Sequence, residues 1–512
     1  MKVFAAIDVG SYELSMKIFE FTEKNGMREI DHIRHKLDLG SETYSAGKLS
    51  TEKVDELCRV LKEYKDILTG YKADAYKAYG TSAIREMENR DIVIEQIAQT
   101  TGIRIEVLSN SEQRFLNYKS VAAKGEAFDR LLDKGTLFLD IGGGSIQLSL
   151  FDKGVLNTTQ NLKLGVLRLR ERLGHINTSP SRMEELIEEL DDAQLSVLYK
   201  LYLRDKNISN IILVDDYLSP WLKNGLFSTE APGYVSAAQC GTFVQNLRER
   251  STAEIAAKLG ISEENAGLMF ISAILVNRIL IMTGAEQIWV PGATLCDGIA
   301  YEYGQKQKLV VNGHDFEKDI LDCALQISKR YMGSRKRAET LESLTMNIFD
   351  NTKKLHGLGK RERLYLQLAA LLHDCGKYIS MINVGECSYQ IIMATEIIGL
   401  SHKEREMVAY IVRFNHDDFL YYDELSKDSS LDMQSYLTVA KLTAILRIAN
   451  GLDRSHKQKF KNVKVALKDR ELVLTVDTKE DISLEKGLFT DRALFFKEVF
   501  NVQPTIKQKR SL

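Results

Sequence analysis

The sequence predicts an α/β protein with two similar lobes, followed by a helical domain and a small α+β domain. An apolar strand ends in Asp8-x-Gly10, and another ends in Asp140-x-Gly142. A serine follows the glycines in both places and an alternating strand returns, which is typical of a β-hairpin. Helical spacing then runs from about residue 310 to 455, and alternation returns after residue 458. Two such hairpins indicate two lobes that face one cleft.

The second hairpin carries the chemistry expected of that cleft. Its glycine turn and serine, Gly142–Ser145, leave backbone N–H groups uncovered, and such a group of donors suits a phosphate. Asp140 stands where the strand meets the turn. Since Mg²⁺ prefers one or two carboxylates plus phosphate oxygens, we expect Asp140 to hold a magnesium ion there. The alternative is a plain glycine-rich hairpin, and the matching Asp8, Gly10 and Ser11 turn favours the ligand site.

These paired hairpins resemble the sugar-kinase, Hsp70 and actin fold, and within it the Ppx/GppA (exopolyphosphatase and guanosine-pentaphosphate phosphatase) family. The resemblance covers nearly the whole chain. It implies two actin-like (ribonuclease-H-like) lobes at residues 1–124 and 125–305. It also implies an all-α HD-like domain at residues 310–455 and a small α+β domain at residues 456–512. Asp8 and Asp140 would then share the magnesium ion.

A further element matches the family at the end of a predicted strand. Gly80–Arg85 is similar to the family's Ala-Thr-Ser-Ala-Val-Arg, whose hydroxyls and arginine line the phosphate channel. The resemblance therefore implies that Arg85 clamps phosphate, a role that suits a planar guanidinium. The alternative is a helix cap followed by a solvated arginine.

Two glutamines stand where the family has glutamates. Ser109–Arg114 corresponds to the family's Ser-Gly-x-Glu-Glu-Ala, whose second glutamate is thought to position or deprotonate the attacking water. Gln113 occupies that position, and Gln147 replaces a glutamate of the glycine hairpin. Glutamine can hydrogen-bond water but cannot accept its proton. Glu112 remains as a substitute if the loop presents it differently.

Another departure follows the strand that ends at Val214. Asp215 and Asp216 stand where the family has a Gly-Gly-Thr phosphate turn, and Tyr12 replaces an asparagine in the first hairpin. Two carboxylates would repel a polyanion unless a metal bridges them.

The helical region contains an incomplete HD motif. His373 and Asp374 are present, but the expected first histidine falls near Arg337 and the final aspartate is replaced by Asn450. Two of four ligands will not retain a metal well. We therefore expect a structural remnant here.

Composition limits the other functions. The 512 residues carry 69 basic and 71 acidic side chains, for a net charge of −2, so a general attraction for DNA is not expected. Six scattered cysteines and an N-terminus without a signal peptide favour a reduced cytoplasmic protein. The longest apolar segment, Ala266–Met282, contains Asn277 and Arg278 and is typical of a buried helix, so no membrane partner is expected.

Two functions remain in competition. The first is a Mg²⁺-dependent hydrolase that releases terminal phosphate from inorganic polyphosphate or from guanosine pentaphosphate, impaired by the glutamines. The second is a catalytically silent relative that binds polyphosphate or guanosine tetra- or pentaphosphate and signals through its helical domain. A sugar kinase or ATPase fits the C-terminal domains poorly. The sequence leaves open whether the protein forms a homodimer.

Overall fold

The chain forms two compact units, Met1–Phe316 and Glu317–Leu512. The computed structural model describes residues 1–23, 26–173, 180–219, 222, 233–311, 313–460 and 463–509. The predicted boundary at residues 305–310 lies shortly before the division between the units. The finer domain limits stay predictions.

The first unit contains two β-sheets, and the N-terminal one has five strands in the order β3-β2-β1-β4-β5. β1 and β2, and β2 and β3, pair antiparallel, whereas β4 pairs parallel to both β1 and β5. The strands are β1 Lys2–Val9, β2 Glu13–Thr22, β3 Gly26–Lys36, β4 Ala75–Gly80 and β5 Ile105–Val107.

The second sheet repeats this arrangement and adds one edge strand. Its order is β10-β11-β9-β6-β7-β8, with β6, β7 and β8 antiparallel and with β9 parallel to both β6 and β11. The strands are β6 Thr136–Ile141, β7 Ile146–Asp152, β8 Val155–Leu162, β9 Asn210–Asp215, β10 Tyr234–Ser236 and β11 Gln287–Trp289. The prediction of two similar lobes is therefore confirmed.

Helices cover the two sheets and begin where the sequence supplies caps. The Ser50 side chain accepts from the Lys53 N–H at the start of α2, and Ser109 does the same from Glu112 at the start of α5. The helices are α1 Gly40–Ala46, α2 Thr51–Gly70, α3 Ser82–Glu86, α4 Arg90–Thr101, α5 Asn110–Ala122, α6 Glu126–Leu132, α7 Val166–Leu173, α8 Pro180–Leu198, α9 Ala237–Arg248, α10 Thr252–Leu259, α11 Glu263–Thr283 and α12 Leu295–Lys306.

Helix α11 forms much of the core of the second lobe. By length and apolar composition it could cross a membrane, and it is the one described helix that passes this test. Most of its middle, including Leu268, Phe270 and Leu275, is buried against the second sheet. The prediction of a buried helix at this segment is confirmed.

Helices and then a small sheet make up the C-terminal part, as predicted. Strands β12 and β13 pair antiparallel, and β13 and β14 pair parallel. The elements are α13 Phe316–Arg330, α14 Arg335–Asn351, α15 Lys353–His356, α16 Lys360–Leu372, α17 Val384–Ala394, α18 His402–His416, α19 Tyr422–Leu425, α20 Met433–Leu452, β12 Val463–Lys468, β13 Glu471–Asp477, α21 Ser483–Phe500 and β14 Gln503–Lys509.

Candidate active site

The two Asp-x-Gly turns have the same backbone geometry. The Gly10 N–H donates to the Glu13 carbonyl at 3.1 Å, and the Gly142 N–H donates to the Ser145 carbonyl at 3.0 Å. Each turn therefore joins its strands by an equivalent bond, directly after Asp8 in one lobe and Asp140 in the other. Because these two glycine N–H groups are used within the turns, they are not free donors for a phosphate.

Both turns open onto one cleft of about 790 Å³. The residues that line it come from both sheets and include most of the predicted site: Asp8, Gly10, Ser11, Gln113, Asp140, Gly142, Gly143, Ser145 and Gln147. Among the described residues, the lining includes neither Arg85, Glu112 nor Gly144. The structure therefore brings together the two aspartates and the two glutamines, and places three predicted residues behind the cleft surface.

Asp8 and Asp140 lie among other acidic side chains of the cleft, Asp216 and Glu13. The Asp8 Oδ1 atom is buried and has no hydrogen-bond partner among the described residues. Burial raises the pKa of Asp8 well above its usual value, and the charges of Asp216, Glu13 and Asp140 raise it further. Burial likewise raises the pKa of Asp140 to about 7, with the Asp216 charge acting in the same direction. Such a crowded acidic site is stabilised by a cation.

The donor set fits magnesium held jointly with a ligand. Within the described parts of the chain, no three or more His, Cys, Asp or Glu side chains come close enough together to hold a metal ion. Mg²⁺, however, commonly uses one or two carboxylates and takes its other ligands from phosphates and water. The unpartnered Asp8 Oδ1 and the neighbouring Asp140 carboxylate suit that mode of binding.

The glycines of the second turn allow the two lobes to approach closely. A Cβ atom at Gly143 would lie 2.8 Å from Leu167 Cδ1 and 3.0 Å from Ser11 Cβ of the other lobe. A Cβ at Gly144 would overlap the Ser82 hydroxyl. Sequence reasoning assigned these glycines to exposed N–H groups, and the structure adds that a side chain there would push the lobes apart.

The first turn of helix α5 presents Gln113, and not Glu112, to the cleft. The Glu112 carboxylate accepts from the Ser109 N–H at 3.0 Å and from the Ser109 hydroxyl at 2.7 Å, so it caps helix α5. The half-buried Arg85 donates to the Leu108 carbonyl at 2.7 Å and to Gln113 Oε1 at 3.3 Å. In this structure Arg85 therefore holds the loop and Gln113, and its predicted contact with phosphate stays a prediction.

Helix α5 supplies two further site residues that sequence reasoning missed. Arg114 is 1% exposed, and its Nε donates to Gln147 Oε1 at 3.2 Å. Asn117 lines the cleft, and its Nδ2 donates to Asp140 Oδ2 at 2.6 Å. The hydrogen bond from Asn117 and the positive charge of Arg114 both lower the pKa of Asp140 against the effect of its burial. The i, i+4 spacing of Gln113 and Asn117 on a capped helix was the available signal, because such residues share one face.

The two adjacent aspartates after β9 have different surroundings. Asp215 accepts hydrogen bonds from the Tyr217 and Leu218 N–H groups and from the Ser272 hydroxyl, which fixes the loop. Asp216 is exposed to the cleft, where partial desolvation and the Glu13 charge raise its pKa. Both aspartates line the cleft, but the Asp215 carboxylate is hydrogen-bonded to its own loop and to Ser272, so we expect the predicted repulsion of a polyanion to come mainly from Asp216.

Polar contacts join the lobes beside the cleft. Tyr12 Oη donates to Asn265 Oδ1 at 2.7 Å, and Lys36 Nζ lies 2.5 Å from Glu264 Oε2. On α7, Arg170 lies 2.6 Å from an Asp38 carboxylate oxygen. These contacts hold the first sheet and the helices of the second lobe in a closed arrangement.

Comparison with known proteins agrees with this architecture. Residues 18–203 match the Ppx/GppA phosphatase family, and residues 322–498 match Ppx/GppA phosphatase, domain III. An exopolyphosphatase structure from Cytophaga hutchinsonii, 20% identical, superposes with a TM-score of 0.53 and covers 61% of this chain and 100% of that one. The predicted actin-like fold is confirmed.

Curated relatives extend over most of the chain. A guanosine-5'-triphosphate,3'-diphosphate pyrophosphatase of Aeromonas hydrophila is 23% identical over 87% of this chain and 86% of its own length. A protein of the same name from Photobacterium profundum is 21% identical over 93% of this chain and 91% of its own. With two family regions in the expected order and the paired aspartate turns on one cleft, the chain belongs to the Ppx/GppA phosphatase family.

Proposed function

We propose that the chain is a phosphoanhydride hydrolase that releases terminal phosphate from guanosine pentaphosphate or from inorganic polyphosphate. The observation that carries the proposal is the pair of equivalent turns that direct Asp8 and Asp140 into one cleft. The curated relatives, named as guanosine-5'-triphosphate,3'-diphosphate pyrophosphatases, support the nucleotide substrate. The structural neighbour named an exopolyphosphatase supports the fold only. We keep polyphosphate as the second candidate substrate.

Asp8 and Asp140 would hold Mg²⁺, which neutralises charge on the phosphate that is transferred. The residues of the chain would then act mainly by holding the substrate in position. Ser11 and the turn Gly143–Ser145 offer backbone and hydroxyl donors after the glycine N–H groups that close the turns. Asn117 keeps the Asp140 carboxylate in place through its 2.6 Å hydrogen bond.

Neither of the two glutamines in the cleft can act as a general base toward the attacking water. Gln113 and Gln147 line the cleft and can orient water, but an amide cannot take a proton from it. Both Oε1 atoms also accept bonds from arginines, at 3.3 Å from Arg85 and 3.2 Å from Arg114. We therefore propose slow hydrolysis.

A second candidate function follows from the same observation. If no other group in the cleft accepts the proton, the protein binds guanosine polyphosphates or polyphosphate without hydrolysing them. The lobe-bridging contacts Tyr12–Asn265 and Lys36–Glu264 would then hold a bound ligand inside a closed cleft.

One assay separates these functions. Phosphate release is measured from guanosine pentaphosphate and from long-chain polyphosphate, with Mg²⁺ or with EDTA, and binding is measured in parallel. Hydrolysis predicts Mg²⁺-dependent release that Asp140→Asn removes. Binding without release in Mg²⁺ supports the silent relative. Release that is as fast in Asp140→Asn, or in EDTA, as in the wild type with Mg²⁺ would refute both forms of the proposal.

We further propose that the protein acts in the cytoplasm on small anions, without DNA or a membrane as partner. The support is a net charge of −2 with balanced acidic and basic residues. Light scattering of the purified chain would decide whether it is a homodimer.

A further inference from the structure

Three nitrogen atoms surround one carboxylate oxygen in the second unit. Asp374 Oδ2 lies 3.2 Å from Arg337 Nη1, 3.2 Å from Lys377 Nζ and 3.6 Å from His373 Nε2. The Asp374 and His373 side chains are buried. Arg337 stands where an HD motif would have its first histidine. Arg337 and Lys377 together neutralise the Asp374 carboxylate, which is a metal ligand in a complete HD motif.

More positive charge surrounds this group than Asp374 can compensate. Burial lowers the pKa of Arg337 and Arg454 lowers it further, against the opposing effects of Asp374 and Asp453. Burial also lowers the pKa of His456, as do Arg337, Lys377 and Arg454. The three permanent cations Arg337, Lys377 and Arg454 are thus opposed by the two carboxylates Asp374 and Asp453, which leaves one positive charge in excess.

Neighbouring elements add to the excess. The positive charge of Arg492, on helix α21, repels that of Arg454 and disfavours the protonated form of His416. Glu485 does not relieve it, because its carboxylate pairs with Lys459 at 2.9 Å. Helix α14 also begins with Arg335, Lys336 and Arg337 and has no acidic residue in its first turn, although the positive end of a helix normally favours acidic side chains.

We propose that the cationic cluster formed by Arg337, Lys377 and Arg454 binds a phosphate-type oxyanion, in particular a diphosphate group, without a metal ion. One N–H of the Arg337 guanidinium is bonded to Asp374, and a guanidinium has five, so it can donate to a phosphate at the same time. Lys377 and the exposed Arg454 supply charge at the solvent side. This site is separate from the cleft and does not rest on the proposed hydrolysis.

A metal is a poor alternative occupant here. His373 Nδ1 lies 2.8 Å from the Ala370 carbonyl, to which it donates, and this leaves Nε2 as the only possible ligand atom of the ring. Arg337 and Lys377 already contact the carboxylate oxygen that would complete the pair. A dication would have to displace two cations, whereas an oxyanion would reduce the repulsion among them.

The test is calorimetric titration of the full chain with inorganic pyrophosphate in EDTA. The site predicts binding that persists in EDTA and weakens with added salt. Lys377→Ala and Arg454→Ala should each weaken it by roughly tenfold, since a charged hydrogen bond is lost. Neither change removes the Arg337–Asp374 pair, so both variants should fold. Lys403→Ala is the matched control. Lys403 lies at the other end of α18 from His416, about 20 Å away at 1.5 Å per residue, and should have no effect.

Asp140→Asn distinguishes this site from the cleft. The cationic cluster predicts that the EDTA-resistant binding is unchanged in Asp140→Asn, whatever happens to phosphate release. The proposal is overturned if pyrophosphate does not bind in EDTA, if Lys377→Ala and Arg454→Ala bind it as tightly as Lys403→Ala, or if the purified protein carries a divalent metal at His373 and Asp374.

Discussion

At the scale of single residues, the two glutamines of the cleft decide how fast water can be activated. General-base catalysis contributes about two to four decades in rate, and neither Gln113 nor Gln147 can supply it. Their neighbours, Arg85 and Arg114, would stabilise a carboxylate at either position through a charge-assisted hydrogen bond. The site is therefore electrostatically prepared for glutamates that it does not have.

Restoring a carboxylate should raise phosphate release. We expect Gln113→Glu to increase the rate by at least about tenfold, within the range known for general bases, and more when combined with Gln147→Glu. Substrate binding should weaken slightly, because each change adds negative charge beside a polyanion. Steady-state phosphate release and the Michaelis constant are the measurements.

Glu112→Gln is the control for that experiment. Because glutamine also serves at this position of a capping box, the change should lower the free energy of unfolding by only about 0.3–1 kcal/mol, for the charge lost at the helix N-terminus, and leave the rate nearly unchanged. If Glu112→Gln instead abolishes phosphate release and Gln113→Glu adds little, Glu112 is the residue that activates water and the capping geometry changes in the active state.

The buried carboxylates also make stability depend on pH. Burial raises the pKa of Asp140 and that of Asp215 to about 7 each in the folded chain, against about 3.9 for an aspartate in water. Between those values the folded state binds more protons than the unfolded state. These two groups should therefore lower the free energy of unfolding as the pH rises from about 5 to 7.5. Their contribution opposes that of His373 and His416, whose pKa burial lowers to about 4 and which stabilise the folded state more as the pH rises through the lower part of this range.

Urea unfolding at several pH values tests this sign, and Asp140→Asn should reduce the slope because an amide does not titrate. Mg²⁺ should recover part of the lost stability at pH 7.5, since it binds the folded state. If the free energy of unfolding rises over this range in the wild type, and its pH dependence is the same in Asp140→Asn, the pKa of these carboxyl groups is not raised in the folded state.

At the scale of elements, the glycine turn after Asp140 packs tightly against Gly165, which precedes α7, and Gly143 of that turn also lies close to Ser11 of the first lobe. A Cβ atom at Gly165 would overlap the backbone of Gly143 and Gly144, which cannot move aside without displacing the turn after Asp140. We expect Gly165→Ala to lower the free energy of unfolding by about 1–3 kcal/mol and to reduce phosphate release. Thermal unfolding and the phosphate assay check this.

Gly267→Ala is the matched change, because nothing lies within 4 Å of a Cβ atom at Gly267 in helix α11. There, alanine should be neutral or stabilising by up to about 1 kcal/mol, as expected for a compatible helical position. Equal effects of the two substitutions would show that the contact between Gly165 and the glycine turn has no special importance.

The sequence predicted elements better than side-chain partners, for a physical reason. Alternating strands and Asp-x-Gly turns are local patterns, and β1, β2, β6 and β7 followed from them, whereas the first turn of helix α5 was expected to be a loop. The partners of Arg114 and Asn117 lie on other elements, Gln147 and Asp140, so no local pattern specifies them. The Asp215 carboxylate could not be placed either, because its bond to Ser272 depends on how α11 packs against β9.

At the scale of the whole molecule, the account assigns hydrolysis to the first unit and a metal-free anion site to the second. Each proposed site has its own test, and Mg²⁺ and EDTA distinguish the two sites. Mg²⁺ should govern phosphate release through Asp8 and Asp140, whereas pyrophosphate binding at Arg337, Lys377 and Arg454 should persist in EDTA.

The central claim is that one aspartate from each lobe serves the same magnesium-dependent reaction. The direct measurement is phosphate release from guanosine pentaphosphate during a Mg²⁺ titration of the wild type, Asp8→Asn, Asp140→Asn and the exposed control Asp91→Asn. We predict that both cleft variants need more Mg²⁺ for half-maximal release and reach a lower maximum, while Asp91→Asn behaves as the wild type. Release that is independent of Mg²⁺, or that is altered by only one of the two cleft substitutions, would contradict the two-lobe site.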